Sequence, residues 1–162
     1  MSYSGYGDAK CTHRYGYLKL NQQLIWKSEW CIDGVPGGPD RGLAIFLLDP
    51  CKCSIPVTQV FDTHQNESDA LELISFLDEV PTGTVIVGIT ANEAVYYLSK
   101  ALPALLKIGV DVSDVQYRGS FGFIAQKGFP KKTMFDKGLT EEESNTNPAK
   151  FIVTLTGNHT AL

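Results

Sequence analysis

The stretch that decides the fold is Gly83–Gly109, GTVIVGITANEAVYYLSKALPALLKIG, which reads as a buried strand followed by a helix. The residues directly after Gly83 are short, apolar and mostly β-branched, which is typical of a strand covered on both faces. Thr90 and Glu93 then have the spacing of a capping box, in which each side chain accepts from the backbone N–H of the other residue. Apolar residues recur at helical spacing after that, and the closing glycine suits a left-handed helix end. The stretch predicts a strand leading directly into a capped helix over residues 92–109.

A strand that ends at a helix N-terminus collects polar backbone groups at one point, which suits a polar ligand. The alternative is a strand–helix corner with a purely structural role. This stretch by itself favours the structural role, so evidence for a ligand site has to come from the remainder of the chain.

Composition limits the classes of function. The chain has 162 residues, enough for one domain with a sizeable core, and a net charge of −4. It has no basic cluster beyond the pair Lys131-Lys132, so we expect no nucleic-acid partner. No apolar run approaches the length of a membrane span, so we expect no membrane insertion. We expect a single domain over residues 1–162.

Indications of the cellular compartment conflict. Residues 1–5 are polar and lack the features of a signal peptide, which taken alone indicates the cytoplasm. Four cysteines in the first third of the chain and two N-glycosylation sequons, Asn66-Glu67-Ser68 and Asn158-His159-Thr160, indicate secretion. We expect a mature secreted protein in which Met1 was added for expression.

The four cysteines are Cys11, Cys31, Cys51 and Cys53. Cys11 and Cys31 flank a predicted hairpin, so a bridge between them is consistent with the sequence. Cys51 and Cys53 pair poorly with each other because one intervening residue strains the ring. Their spacing is also not that of a zinc site. They could bridge to the first two cysteines or to a second chain, and all three intramolecular pairings stay open.

The remaining elements follow from periodicity and turn residues, and they indicate an α+β domain with mixed or mostly antiparallel sheets and two packed helices. A helix with one apolar face ends at Pro81. Gly119 and Gly122 would allow a bulge in a bent strand. The predicted strands are 15–20, 24–26, 43–48, 57–61, 115–117, 121–125 and 151–155, and the predicted loops are 33–42, 62–69 and 127–150.

An acidic segment precedes the first helix. Asp62, His64, Glu67 and Asp69 could bind a metal, but carboxylates at a helix N-terminus also complement the helix dipole, and we favour that role as a cap. His64 has no sequence partner that would indicate a nucleophilic triad. The chain contains no nucleophile elbow, P-loop or dinucleotide fingerprint. We therefore expect neither an enzyme nor a cofactor.

Aromatic and arginine side chains are the better candidates for binding. Arg118 lies between Tyr117 and Gly119, where its guanidinium could donate in a fork to sugar hydroxyls, although a surface ion pair is the alternative. Aromatic rings could stack on a sugar face, although most aromatics near strands belong to a core. The candidates for stacking are Tyr3, Tyr6, Trp26, Trp30, Tyr96 and Tyr117.

Several short blocks occur in the order and spacing of one known family. They are Arg41-Gly42-Leu43-Ala44-Ile45, Val60-Phe61-Asp62-Thr63, Gly83-Thr84-Val85-Ile86-Val87, the predicted 92–109 helix ending Leu106-Lys107-Ile108-Gly109, Tyr117-Arg118 and Lys127-Gly128. Over residues 11–156 the chain resembles the interleukin-like EMT inducer domain, also called the GG domain. The resemblance implies two packed β-sheets with helices outside and no catalytic role.

That family includes secreted cytokine-like proteins and the carbohydrate-binding stem domain of protein O-mannose N-acetylglucosaminyltransferase. The resemblance to the stem domain implies sugar contacts from Arg41, Asn92 and Arg118, with Glu93 and Ser120 as further candidates. Both arginines match, but the stem domain has aspartate where this chain has Asn92. Because asparagine both donates and accepts, a different sugar or anomer could be preferred.

The resemblance also bears on the cysteines. It implies a Cys11–Cys31 bridge, whereas the family's second bridge uses a C-terminal cysteine that this chain lacks. Cys51 and Cys53 have no family equivalent, which suggests an interchain disulfide and a homo- or hetero-oligomer such as a dimer. Pairing two sites would multiply weak sugar contacts.

These observations lead to the expectation of a secreted, metal-independent, non-catalytic lectin that recognises the termini of glycans and glycoproteins. The alternative is a cytokine-like secreted ligand for a protein receptor, which would present a flat apolar patch in place of a polar pocket. A third alternative, an enzyme, has in its favour only His64 and the carboxylates near it.

Overall fold

The structure is a computed structural model, which describes residues 16–28, 31–32, 35–36, 40–49, 54–146, 149–150 and 152. The strands are β1 (Tyr17–Leu20), β2 (Gln23–Lys27), β3 (Cys31–Ile32), β4 (Val35–Pro36), β5 (Gly42–Asp49), β6 (Ser54–Phe61), β7 (Val85–Ala91), β8 (Ser120–Gln126) and β9 (Met134–Gly138). The α-helices are α1 (Glu67–Glu79), α2 (Leu102–Lys107) and α3 (Glu141–Thr146). Two short 3₁₀ turns cover Leu98–Lys100 and Pro130–Lys132.

A five-stranded antiparallel sheet forms the centre of the molecule, with the strand order β6-β5-β7-β8-β9. All seven residues of β7 are buried, which confirms the prediction of a strand covered on both faces. On one face, β5 and β7 contribute residues such as Leu43, Ile45 and Ile86 to a core that also includes residues of α1 and α2. Because side chains alternate along a strand, the residues between them face the opposite side.

That opposite face is covered by the β1–β2 hairpin. Leu18 and Trp26 pack against the apolar cluster formed by Ala44, Phe46, Val87 and Ile89, and the Trp26 and Phe46 ring centroids lie 5.2 Å apart. Asn21 and Gln22 both have positive φ, as a two-residue hairpin turn requires. The α+β prediction and the prediction of two packed sheets are therefore confirmed.

Helix α1 has the predicted apolar face and the predicted end, but it begins at Glu67, inside the expected loop over 62–69. Ala70, Leu73 and Leu77 form its buried face, and the helix ends at Glu79 with Val80 as C-cap, immediately before Pro81. Its N-cap is Asn66, which makes no side-chain capping hydrogen bond. Glu67 and Asp69 lie in the first turn, where their charge complements the helix dipole.

The predicted capped helix over 92–109 is wrong. Thr90 belongs to β7, and its hydroxyl donates to the backbone carbonyl of Phe121 at 3.1 Å in place of capping a helix. The α-helix begins only at Leu102, because Pro103 inside a longer helix would remove one hydrogen bond and clash with the preceding turn. The helix end is as predicted, since Gly109 has φ +85°.

Two further predictions around β8 are wrong. Residues 115–117 form no strand, and the register of β8 with both neighbours runs without the bulge expected at Gly122. The expected loop over 127–150 contains β9 and α3, so three α-helices are described where two were expected. Only one of the five residues of β9 is buried, so this edge strand lacks the apolar pattern from which a strand is predicted.

Several predictions fall on residues outside the described ranges. These are the strand at 151–155 apart from Ile152, much of the loop at 33–42 and all four cysteine side chains. Among the described helices, none is long and apolar enough to cross a membrane.

Candidate functional site

One end of the five-stranded sheet brings the predicted binding residues together. Gly42 begins β5 and pairs with Ala91, the last residue of β7, while the neighbouring Leu43 pairs with Phe61, the last residue of β6. Strand β8 begins at Ser120 at the same end. The residues just beyond these strand ends form a surface that we call the strand-end site: Arg41, His64, Asn92, Tyr96, Tyr117 and Arg118.

Buried polar contacts join the segment after β6 to the segment after β7. The Thr63 hydroxyl donates to the Ala94 carbonyl at 2.7 Å, and the Tyr97 N–H donates to the Thr63 carbonyl at 2.7 Å. Thr63 is fully buried. Since buried hydrogen bonds of this kind are costly to break, the two segments behave as one structural unit that carries both His64 and Tyr96.

Glu93 joins this unit to the segment before β8. Its carboxylate accepts from the Val95 N–H at 2.6 Å and, through its other oxygen, from the Arg118 N–H. Only 4% of Glu93 is exposed. Burial raises the pKa of the carboxyl, while the donating N–H groups and the charge of Arg118 oppose that rise.

Arg41 is directed by the conformation of the residue after it. Gly42 has φ +107°, and a Cβ there would lie 1.9 Å from the Phe61 carbonyl oxygen, so only glycine fits. The Arg41 guanidinium forms an ion pair with Asp62, with Nη2 at 2.8 Å from the carboxylate, and also donates to the Gln65 side chain. The pair fixes the guanidinium beside the segment that carries His64.

Arg118 is held at both its backbone and its side chain. Its φ of +61°, like the φ of +57° at Asn92, is uncommon for a residue other than glycine and typical of functional sites. Its guanidinium pairs with Glu141 at 3.1 Å and lies 5.2 Å from the centroid of the Tyr117 ring. An open cavity of about 540 Å³ lies beside Glu141 and is also lined by Thr140, Glu142 and Thr146.

Aromatic rings line the exposed side of the site. Tyr96 is 64% exposed and Tyr117 is 52% exposed. The half-buried His64 ring lies between them, with its centroid 6.0 Å from each. Partial burial and the charge of Arg41 lower the pKa of His64, which favours the neutral imidazole. Its Nδ1 is buried and has no hydrogen-bond partner among the described residues.

The structure places all five predicted binding residues at this end of the sheet, namely Arg41, Asn92, Glu93, Arg118 and Ser120. Asn92 is half-buried. Ser120 is fully buried, and its hydroxyl accepts from the Ala149 N–H at 3.2 Å. Among the stacking candidates, Tyr96 and Tyr117 lie in the site and Trp26 lies against the sheet, while Tyr3, Tyr6 and Trp30 fall outside the described ranges.

Sequence reasoning missed His64 as a member of the site. It considered the histidine with Asp62, Glu67 and Asp69 as a metal site or a cap. In the structure Asp62 pairs with Arg41, Asp69 accepts from the Asp62 N–H at 2.8 Å, and Glu67 pairs with Lys100 at 3.0 Å. Within the described ranges, no group of three or more metal-ligating side chains occurs. The available signal was position, because His64 closely follows a strand end.

Comparison with known proteins identifies the family of the chain. The family model described as interleukin-like EMT inducer matches residues 41–129, more than half of the chain. The matched region contains strands β5 to β8, helices α1 and α2, and every residue of the strand-end site. No curated protein matches the chain significantly. The chain belongs to the interleukin-like EMT inducer family.

Proposed function

We propose that this protein is a secreted, non-catalytic lectin that recognises glycan termini without a metal ion. The observation that carries the proposal is the convergence, at one end of the sheet, of two exposed tyrosine rings with two arginines whose directions are fixed. Sugar sites combine an aromatic surface with a few well-placed polar groups, and the strand-end site has this composition.

The rings of Tyr96 and Tyr117 would contact the apolar face of a sugar. Both rings are exposed, yet both lie against other rings, since Tyr96 also packs edge-on against Tyr97 with centroids 4.8 Å apart. An exposed ring that is already packed on one side loses little conformational entropy on binding. This arrangement favours a ligand that stacks on the rings.

Arg118 and Asn92 would provide the polar contacts. A guanidinium offers five N–H donors in a planar fork, and an asparagine side chain both donates and accepts, so together they can match the mixed character of sugar hydroxyls. The pairs Arg41–Asp62 and Arg118–Glu141 hold the two guanidinium planes in place before a ligand arrives. Preorganised donors lower the entropic cost of binding.

The roles of the carboxylates support binding over catalysis. Glu93 accepts from two backbone N–H groups, and Asp62 and Glu141 pair with arginines. A carboxylate that is engaged in this way is poorly suited to act as a general acid or base. We therefore propose that the site binds its ligand without transforming it.

A glycan array tests the proposal directly. The folded protein is applied with and without EDTA, together with an Arg118→Ala variant. We expect binding to one structurally related group of glycans, unchanged by EDTA and lost in the variant. Absence of binding across a broad array by well-folded protein would overturn the lectin proposal, and abolition by EDTA would overturn its metal independence.

A second candidate function, as a ligand for a protein receptor, is favoured by a separate observation. Phe129, Met134 and Phe135 are all exposed on or just before β9, the edge strand of the sheet. A sheet edge that exposes apolar side chains can bind another protein. Binding to cells that free sugar does not compete, and that a Met134→Ser/Phe135→Ser variant loses, would favour this function over the first.

A further inference from the structure

Glu93 connects the two segments that carry the exposed tyrosines. One carboxylate oxygen accepts from the Val95 N–H, next to Tyr96, and the other accepts from the Arg118 N–H, next to Tyr117. Residues 92–97 and 117–119 belong to no helix or strand. These segments therefore lack the regular hydrogen bonds that would otherwise fix their positions relative to each other.

Direct contact between Glu93 and a ligand is disfavoured by its burial. Only 4% of the residue is exposed, and both carboxylate oxygens already accept hydrogen bonds from the backbone. A ligand hydroxyl would have to reach a buried group and compete with two charge-assisted bonds, which are stronger than ordinary ones. Glu93 is therefore placed to hold the site together and not to touch what the site binds.

Burying this carboxylate has a cost, which its raised pKa reflects. Desolvation disfavours the ionised form, and backbone N–H donors and the charge of Arg118 oppose this effect. Arg118 itself pairs with Glu141 through its guanidinium. The carboxylate of Glu93 accepts hydrogen bonds from two backbone N–H groups. One of them belongs to Arg118, whose φ of +61° is unusual for a residue other than glycine.

We propose that Glu93 is the positioning residue of the strand-end site: its ionised carboxylate fixes the segment of Tyr96 against the segment of Tyr117 and Arg118, and so sets the spacing of the ligand-binding rings and donors. This role rests on the proposed lectin function. Glutamine at this position would keep the shape but present one NH₂ donor to backbone N–H donors, so one of the two contacts would be lost.

Affinity and stability should respond differently to acid. Because the pKa of Glu93 is raised in the folded protein, protonation of this group favours the folded state, and its effect on stability is most favourable at low pH. The protonated group nevertheless offers one acceptor fewer to the two N–H groups. The positioning role therefore predicts that glycan affinity weakens as Glu93 becomes protonated, at a higher pH than the one at which an ordinary carboxyl group would titrate. Protonation of Glu93 should not lower the free energy of unfolding over the same pH range.

The test compares wild type with Glu93→Gln and, as a matched control at an exposed glutamate, Glu79→Gln. Affinity for the strongest array glycan is measured across pH, and amide hydrogen exchange is measured at Val95 and Arg118. We expect Glu93→Gln to keep a cooperative unfolding transition and to bind the glycan about tenfold or more weakly at pH 7. Its affinity should lack the loss on acidification that wild type shows, and both amides should exchange faster than in wild type. Glu79→Gln should behave as wild type.

The outcomes separate this role from the lectin proposal. If Glu93→Gln exchanges faster at both amides yet binds glycan with wild-type affinity and pH dependence, the positioning role is overturned and the lectin proposal stands. Unchanged exchange at both amides overturns it as well. If wild type binds no glycan, the lectin proposal fails and the positioning of a sugar site fails with it, while the exchange data still decide whether Glu93 holds the two segments together.

Discussion

Gly42 shows how a single residue determines the geometry of the site. Its backbone lies in the left-handed region, and it passes so close to the Phe61 carbonyl that no Cβ fits. Gly83 also has a positive φ, +92°, but a Cβ there would meet nothing within 4 Å. The two glycines therefore separate the cost of backbone strain from the cost of a steric clash.

We expect Gly83→Ala to lower the free energy of unfolding by about 1 kcal/mol, the cost of a left-handed alanine. Gly42→Ala should lower it by about 3 kcal/mol or more, because the clash adds to that strain. Urea denaturation of both variants provides the comparison. Equal losses would contradict the close approach of Gly42 to Phe61.

His64 provides a pH dependence of stability. Its pKa is lowered from the usual 6.5 by partial burial and by the charge of Arg41. Together these two effects outweigh the opposing effect of Asp62. The folded state therefore prefers the neutral imidazole. The stabilisation is complete above pH 6.5 and is lost as the pH falls through the lower pKa of the folded state.

His64→Phe keeps a ring between the two tyrosines but cannot titrate. Between pH 7 and the acidic range, its free energy of unfolding should fall less steeply than that of wild type. Urea denaturation at a series of pH values measures how steeply the free energy of unfolding changes with pH in each protein. The carboxyl groups are common to both proteins, so their effects on the two slopes largely cancel. Identical slopes would contradict the lowered pKa.

Residue patterns were informative where the deciding partners are local. The left-handed Gly109 and the helix end before Pro81 were both predicted, since each depends on the residue's own conformational preferences. An ion pair of Arg118 was the stated alternative to sugar binding, but its partner Glu141 was not predicted, because the two residues meet only when β8 and β9 pair. The site was therefore predicted as a set of residues, without its internal contacts.

Among the elements, the end of β7 shows why a local motif misled. The T-x-x-E spacing of Thr90 and Glu93 is compatible with a capping box, but both side chains bind partners more than 20 residues away. Tertiary contacts override local preference in such cases. Pro103 was the local sign against a helix beginning at residue 92, because proline is well tolerated only in a first turn.

Helix α2 offers a matched pair of leucines for measuring its contribution to the core. Leu105 is fully buried, whereas its neighbour Leu106 is 51% exposed. We expect Leu105→Ala to cost about 3 kcal/mol, through lost burial and a cavity, and Leu106→Ala to cost about 0.5 kcal/mol. Chemical denaturation of both variants measures the difference. A larger loss for Leu106→Ala would contradict the orientation of α2.

At the scale of the whole molecule, the architecture was predicted better than the number of elements. The α+β class followed from strand alternation and turn residues, whereas the packing of two sheets was an expectation from the family resemblance. Strand β9 was missed because it is a short edge strand with exposed residues, so it lacks the continuous apolar pattern of β5 and β7. The family match covers β5 to β8 and does not include β9.

The proposal of a disulfide-linked oligomer also belongs to this scale. Cys51 and Cys53 directly precede β6, and their side chains lie outside the described ranges. We expect a Cys51→Ser/Cys53→Ser variant to run as a monomer on a non-reducing gel and to lose up to about 100-fold in avidity on a dense glycan surface. Its affinity for a free monovalent sugar should equal that of wild type. A wild-type protein that is monomeric without reductant would contradict the proposal.

The most direct test of the central claim is an NMR titration of the isotope-labelled protein with the glycan that gives the strongest array signal. The account predicts that the amide shifts are concentrated at Asn92, Tyr96, Tyr117 and Arg118. The Arg118→Ala substitution should raise the Kd about tenfold or more. The control substitution Lys107→Ala, at an exposed lysine on α2, should leave the Kd unchanged. Shifts confined to β9, or an Arg118→Ala variant that binds as tightly as wild type, would contradict the assignment of the strand-end site as the sugar-binding surface.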